Sequence, residues 1–211
     1  MDPARIAELL RPFTGDAELP ANMLEQFRLY LDLLLRWNAR VNLTAVRDPE
    51  KIVTRHFGES IFAARMLDAQ VAGPITLADV GSGAGFPGIP IKLWSPHIEL
   101  TLIESRNKKA TFLREALRTL KLDRSQVFCG RAEQWGQTTD LVTLRAVEQF
   151  ERALPVAATL VRPGGRLCLL IGSSQLKSVQ ELSGQQWTWH VPLPVPLSTG
   201  GVIAIGERRG S

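Results

Sequence analysis

The chain of 211 residues reads as an α/β protein: a doubly wound, mostly parallel sheet that ends in an antiparallel β-hairpin, behind a helical N-terminal cap. Three observations predict this. Between Ile75 and Ile171, short apolar runs alternate with amphipathic stretches of roughly 10–15 residues, the pattern of a parallel sheet with helices on both faces. The N-terminal third shows helical periodicity and no strand-like run. Near the end, two apolar runs are joined by Ser198-Thr199-Gly200-Gly201, which leaves no room for a crossover helix, so these strands must pair antiparallel. The expected division is a cap over residues 1–70 and a core over residues 71–211, folded as one compact unit.

In the cap, Asn22 and Glu25 fit a capping pair, and Leu24, Phe27, Leu31 and Leu34 follow at helical spacing. Asp48-Pro49 opens another helix, with Asp as N-cap and Pro at the first helical position. It turns Ile52, Val53, Phe57 and Ile61 toward a core and runs to about Leu67. The texture changes at Pro74. A buried strand, Ile75 to Val80, leads into a glycine-rich turn and a short helix near Ile89 to Trp94. Strand Ile98 to Ile103 precedes a helix over Lys108 to Leu120, with Leu113, Leu117 and Leu120 inward. Strands Val127 to Cys129 and Asp140 to Leu144 follow, then a helix from Phe150 to about Val161 and strand Arg166 to Ile171. The tail strands are Trp187 to Val195 and Val202 to Glu207.

Composition bounds the function. With 45% hydrophobic and 22% charged residues, a disordered or collagen-like chain is excluded. The longest aliphatic runs, such as Leu167 to Ile171, fall far short of the ~18 residues a membrane helix needs. Asp2, Arg5 and Glu8 break any secretory pattern at the start, and Cys129 and Cys168 sit in apolar strands as reduced thiols. A soluble cytoplasmic monomer without a bound metal is expected. Of the 25 cationic residues 19 are Arg, the side chain suited to phosphate contact and base stacking, which permits an RNA partner.

The chemistry centres on the turn after the first strand, Asp79-Val80-Gly81-Ser82-Gly83-Ala84-Gly85-Phe86-Pro87-Gly88. Glycine lets backbone approach a ligand closely, and a turn at a strand's C-terminal end is where open α/β sheets bind nucleotides. Two cofactors fit. Gly83-x-Gly85-x-x-Gly88 matches the dinucleotide fingerprint, with Glu104 near the place of its ribose-binding acid. Three features favour S-adenosyl-L-methionine (AdoMet) instead. Asp79 sits two residues before the first glycine and suits a cationic amino-acid ligand; Gly81-x-Gly83-x-Gly85 has the methyltransferase spacing; and Arg162-Pro163-Gly164-Gly165 with the terminal hairpin reproduces the class I methyltransferase layout. Glu104, closing the second strand, is placed to accept from both ribose hydroxyls, and Ala132-Glu133, after the third, to read the adenine edge.

Further motifs surround this turn: Trp37-Asn38-x-x-x-Asn42-Leu43-Thr44, Arg47-Asp48-Pro49 and Arg55-His56 before it; Ile89-Pro90 directly after it; then Glu104-Ser105-x-x-Lys108-Lys109-x-x-Phe112-Leu113, Arg131-Ala132-Glu133 and Arg145-Ala146. Together, over roughly residues 24 to 172, the chain resembles the glucose-inhibited division protein B family. The resemblance implies a bacterial enzyme that methylates N7 of a guanine in 16S ribosomal RNA, guanine 527 of the 530 loop, on RNA or the small ribosomal subunit. It also implies AdoMet contacts at Gly81, Phe86, Ala132, Glu133 and Arg145. The chain departs from the family pattern at Glu59, usually Asp, at Ile171-Gly172, usually Lys-Gly, and in Gly201-Val202-Ile203, which lacks the usual basic residues.

The residues allow this chemistry. The stretch Thr143-Leu144-Arg145-Ala146 is not the Asn/Asp-Pro-Pro-aromatic loop typical of exocyclic-amine methylation, and neither cysteine sits in a loop suited to attack on a pyrimidine. Guanine N7 carries an in-plane lone pair and needs no general base, only positioning and exclusion of water. Arg145 is expected at the floor of the site, in a positioning role. Asn38, Arg47 and Arg131 are candidates to hold RNA phosphate or a base edge, with His56 beside them. Two other functions share this core: a small-molecule methyltransferase, which the polar cap residues Asn38, Arg40, Asn42, Arg47, Arg55 and His56 oppose, and a non-catalytic AdoMet-binding ribosome-assembly factor.

Overall fold

Five parallel strands carry the core of the fold: β1 (Thr76–Val80), β2 (Glu99–Glu104), β3 (Ser125–Cys129), β4 (Thr139–Arg145) and β5 (Val161–Gly172). The computed structural model describes residues 1–68, 75–145, 150–181 and 186–210. Pro74, the expected division at residue 70 and Ala146 lie outside them. Three short or antiparallel strands complete the sheet: β6 (Trp187–Trp189), β7 (Leu193–Pro194) and β8 (Gly201–Arg208). The order is β3-β2-β1-β4-β5-β8-β6, with β7 also paired to β8.

The tail strands pair antiparallel, as the short Ser198–Gly201 connection predicts. β8 inserts between β5 and β6 and pairs antiparallel with both. Its central residues Ile203, Ala204 and Ile205 are buried, as an interior strand of a covered sheet requires. The expected run Trp187 to Val195 splits into β6 and β7, which meet different parts of β8. β5 also begins five residues earlier than its apolar run, at Val161, across a register irregularity between Thr139 and Leu141.

The cap comprises α1 (Pro3–Thr14), α2 (Ala21–Asn38), α3 (Pro49–Ile52) and α4 (Glu59–Asp68). In the core follow α5 (Gly88–Trp94), α6 (Asn107–Thr119), α7 (Phe150–Thr159) and α8 (Leu176–Glu181). Asp48 caps α3 as its sequence predicts, accepting from the Lys51 N–H at 2.8 Å. Asn22 does not cap α2. Pro20 occupies the N-cap, with no side-chain cap bond, and Asn22 falls inside the first turn.

Between α3 and α4 the chain runs on as a π-helical segment, Val53–Gly58. Such segments are rare, and many mark functional sites. Here consecutive residues His56 and Phe57 both meet the Phe86 ring, with centroids 4.8 and 5.7 Å away. Gly58 ends the segment where a Cβ would sit 2.5 Å from the Phe13 ring, so α1 packs directly on its backbone.

One apolar cluster joins Ile6, Phe13, Phe27, Tyr30 and Phe57 of the cap to Leu100, Leu102 and Phe112 beneath one sheet face. A second packs α7 on the other face through Phe150, Leu154, Val142 and Leu169. The cap thus shares its core with the sheet. Cys168, fully buried in β5, has its thiol pushed up to about 12 by desolvation, and both cysteines are free. Among the described residues no helix is long and apolar enough to cross a membrane.

Candidate active site

Two clefts open along the carboxyl ends of the strands. The first, about 570 Å³, lies over β1, β2 and β3 and is lined by Val80, Gly81, Ile103, Ser105 and the stretch Gly130 to Glu133, with Arg152, Ala153 and Val156 of α7 opposite. Its size suits a small-molecule ligand. The second, about 240 Å³, lies over the ends of β4, β5 and β8 and includes Arg55, Glu59, Arg145, Ile171, Gly172 and Gly201.

The first cleft brings together Gly81, Ala132 and Glu133, three of the candidate cofactor contacts, and places Arg131, a candidate RNA contact by sequence, beside them. Gly81, Gly83 and Gly85 take positive φ of 67°, 57° and 89°, a backbone course that glycine adopts without strain. Glu104, 6% exposed, braces the turn. Its Oε2 accepts from the Gly83 N–H at 3.0 Å and its Oε1 from the Arg106 N–H at 2.8 Å. A carboxylate so held keeps the loop and β2 in fixed relation at the cleft's edge.

Asp79 stands differently from its expected place facing a cationic ligand. It is fully buried behind the turn. Register brings Thr143 beside it on β4, and Thr143 Oγ1 donates to its Oδ1 at 2.8 Å. The Gly88 N–H donates to Oδ2 at 3.3 Å. Desolvation pushes its pKa up to about 6 despite these hydrogen bonds. Its carboxylate ties the turn's two ends together, with Gly88 pressed so close that a Cβ would lie 2.9 Å from Oδ2.

Phe86 also points inward, 7% exposed, into a stack of Tyr30, Phe57 and His56. The Tyr30 hydroxyl donates to the Ala84 carbonyl, so the cap grips the turn directly. Arg145 lies over the outer side of this stack, its guanidinium carbon 5.9 Å from the Phe86 centroid, and faces the second cleft. Its Nη2 donates to Glu59 Oε2 and to the Arg55 carbonyl, both at 2.7 Å. Burial lowers the Arg145 pKa, and the Glu59 carboxylate opposes the shift.

Of the cap candidates, Asn38 is corrected. It is 4% exposed and its amide is consumed by the loop that follows: Oδ1 accepts from Leu43 and Thr44 N–H, and Nδ2 donates to the Thr44 carbonyl. Buried and tied to this loop, the side chain does not face a phosphate outside the fold. Arg47 is exposed but also ties this loop, donating to the Asn38 carbonyl and Asn42 Oδ1. His56 Nε2 lies 2.8 Å from Thr44 Oγ1, which itself accepts from the Val46 N–H. The ring tautomer sets which of the two donates, and Nδ1 is a buried atom with no hydrogen-bond partner among the described residues. Desolvation first, then Arg145 and Arg55, depress the His56 pKa to about 3. Arg40, Asn42, Arg47 and Arg55 remain exposed.

Sequence reasoning missed Tyr30, Thr143 and the Glu59–Arg145 pair. Tyr30 is the chain's only tyrosine, amid the leucines of an amphipathic helix, and gave no separate signal. The other two depend on strand register and on a helix meeting the sheet.

Comparison with known proteins bears on the family and the fold. The family model described as rRNA small subunit methyltransferase G matches residues 23–193. A protein named Ribosomal RNA small subunit methyltransferase G from Xanthomonas campestris pv. campestris (strain 8004) is 40% identical over 208 residues, covering 98% of this chain and 92% of its own. One of the same name from Stenotrophomonas maltophilia (strain K279a) is 37% identical, covering 98% and 94%. Among solved structures, the ribosomal protein L11 methylase from Lactobacillus delbrueckii subsp. bulgaricus superposes with a TM-score of 0.60 at 13% identity, over 74% of this chain and 79% of that one. M. jannaschii TYW2, solved in complex with AdoMet, gives 0.56 at 12% identity, over 72% and 76%. These neighbours show the class I methyltransferase fold. With a family model spanning most of the sequence and relatives at this identity along nearly its whole length, the chain belongs to the rRNA small subunit methyltransferase G family.

Proposed function

We propose that the protein is an AdoMet-dependent methyltransferase of 16S ribosomal RNA in the small ribosomal subunit, and that its acceptor is N7 of a guanine in the 530 loop. Family membership supports the reaction class and the RNA. The first cleft fits the cofactor: Gly81 at positive φ offers bare backbone, Ala132 and Glu133 line the far side, and the cleft has room for a nucleoside with its side chain. AdoMet supplies an electrophilic methyl group on a sulfonium. The protein's part is to hold the turn, orient the acceptor and keep water out.

The observation that carries the N7 reading is the arrangement of Glu59 and Arg145 in the second cleft and of His56 against the Phe86 ring. Glu59 Oε2 is paired with Arg145 Nη2, and His56 is neutral with so low a pKa that it is a poor proton acceptor. An exocyclic amine or ribose hydroxyl loses a proton on methylation; N7 does not. The test is digestion of methylated 16S RNA to nucleosides, identified by mass spectrometry. The expected product is 7-methylguanosine, mapped to the 530 loop. An N2-methyl or 2′-O-methyl product, or no RNA product on any ribosomal particle, overturns the reading.

A further inference from the structure

The second cleft mixes apolar and glycine residues, among them Leu170, Ile171 and Gly200, with polar ones, Arg55, Gln175 and Ser198, and its one acid among the described residues is Glu59. Glu59 is 15% exposed; Oε2 is held by Arg145, and Oε1 takes no hydrogen bond from any described residue. The cleft's volume, about 240 Å³, suits one planar base.

We propose that this cleft receives the unstacked target guanine and that Glu59 reads its Watson–Crick edge, accepting from N1–H and N2–H₂. The proposal rests on the guanine-N7 reading and assigns the residue that selects and orients the base. Guanine carries acceptors, O6 and N7, on one edge and donors, N1–H and N2–H₂, on the other. Arginine ordinarily takes the O6/N7 edge, which would occupy the atom to be methylated. Here the Arg145 Nη2 is already committed to Glu59 and the Arg55 carbonyl. An ionised carboxylate only accepts, so it can engage only the donor edge, leaving N7 directed away from it.

The same contact discriminates. Adenine presents an acceptor, N1, to that carboxylate and is repelled. As the N7 lone pair bonds the methyl carbon and the S–C bond breaks, the purine becomes cationic and its N1–H more acidic, so the carboxylate's bond strengthens toward the transition state. Arg145 acts through Glu59 as a positioning residue. Presenting the base requires that it leave any stack, which single-stranded RNA loops allow most readily.

The test compares guanosine with inosine, which keeps N7 and N1–H but lacks the N2 amine, at the target position of ligated 16S RNA, naked and assembled into subunits. Wild-type protein should methylate inosine with kcat/KM at least tenfold lower. In Glu59→Gln and Glu59→Ala, checked for folding by thermal melting and for AdoMet affinity, guanosine activity should fall and the guanosine-to-inosine ratio should collapse toward one. A wild-type ratio near one overturns the proposal even if neither variant folds. So does an unchanged ratio in the variants, which would leave the Glu59–Arg145 pair a clamp between cap and sheet. If no RNA is methylated at N7 by any protein, the proposed function fails instead.

Discussion

Gly85→Ala tests whether the cap holds the cofactor turn through Tyr30. At φ +89°, a Cβ on residue 85 would lie 2.5 Å from both the Tyr30 hydroxyl oxygen and Ile89 Cδ1, and 3.1 Å from Ile89 Cγ1. Both neighbours are fully buried, so neither can swing away without disturbing its packing. A non-glycine residue at positive φ costs ~1–2 kcal/mol, and overpacking a filled core ~1–3 kcal/mol. A destabilisation of about 3 kcal/mol is expected, or a Tm drop of roughly 6–12 °C for a chain of this length. Tyr30→Phe alone should cost about 1–3 kcal/mol, because the buried Ala84 carbonyl loses its donor. It also removes the hydroxyl oxygen that the added methyl group at position 85 would strike, so the two losses should sum to less than additive by about 1 kcal/mol. The assay is urea unfolding of the four proteins in a double-mutant cycle. Strict additivity, or a Gly85→Ala loss below ~0.5 kcal/mol, would refute the grip of cap on turn.

Further outcomes are expected. Buried Asp79, with its pKa raised from 3.8 to about 6, binds more protons folded than unfolded, so its contribution is full below pH ~4 and is lost as pH rises through 6. Asp79→Asn, which keeps an acceptor for Gly88 N–H, should be more stable than wild type by up to ~3 kcal/mol at pH 7 and converge with it near pH 4; His56, depressed from 6.5 to about 3, has the opposite sign, its contribution present above pH 6.5 and lost on acidification, so in urea titrations from pH 4 to 7 His56→Phe should lose less stability than wild type as the pH falls. Glu104→Gln cannot accept from both the Gly83 and Arg106 N–H groups, and calorimetry should show AdoMet affinity down at least tenfold, with Gly81→Arg, in the open cleft, folded but binding none; undiminished affinity in either contradicts the cofactor site. Single-turnover methyl transfer at saturating AdoMet and RNA should stay nearly flat from about pH 6.5 to 9, a range in which His56 remains neutral, and a basic limb there would point to a proton acceptor in the chemical step.

The amino-acid sequence alone determined what is local or periodic. The glycines at 81, 83 and 85 announced a backbone course that needs positive φ, Asp48-Pro49 announced a helix start, and alternating apolar runs announced the parallel sheet. Each signal lies within a few residues, where propensity and turn chemistry act. The family motifs extended this reading to the reaction class. The tertiary structure alone decided which way polar side chains turn. Asn38 and Asp79 carry groups that could serve a ligand, but the fold spends them on the 38–44 loop and on Thr143 and Gly88, because buried polar groups take the nearest partner. Register set Asp79 beside Thr143, and helix-to-sheet packing set Glu59 against Arg145, across gaps of 64 and 86 residues that no local pattern spans. β8 likewise lies inside the sheet, paired by β5 on one side and β6 on the other, where an edge place would leave one row of its backbone groups unpaired.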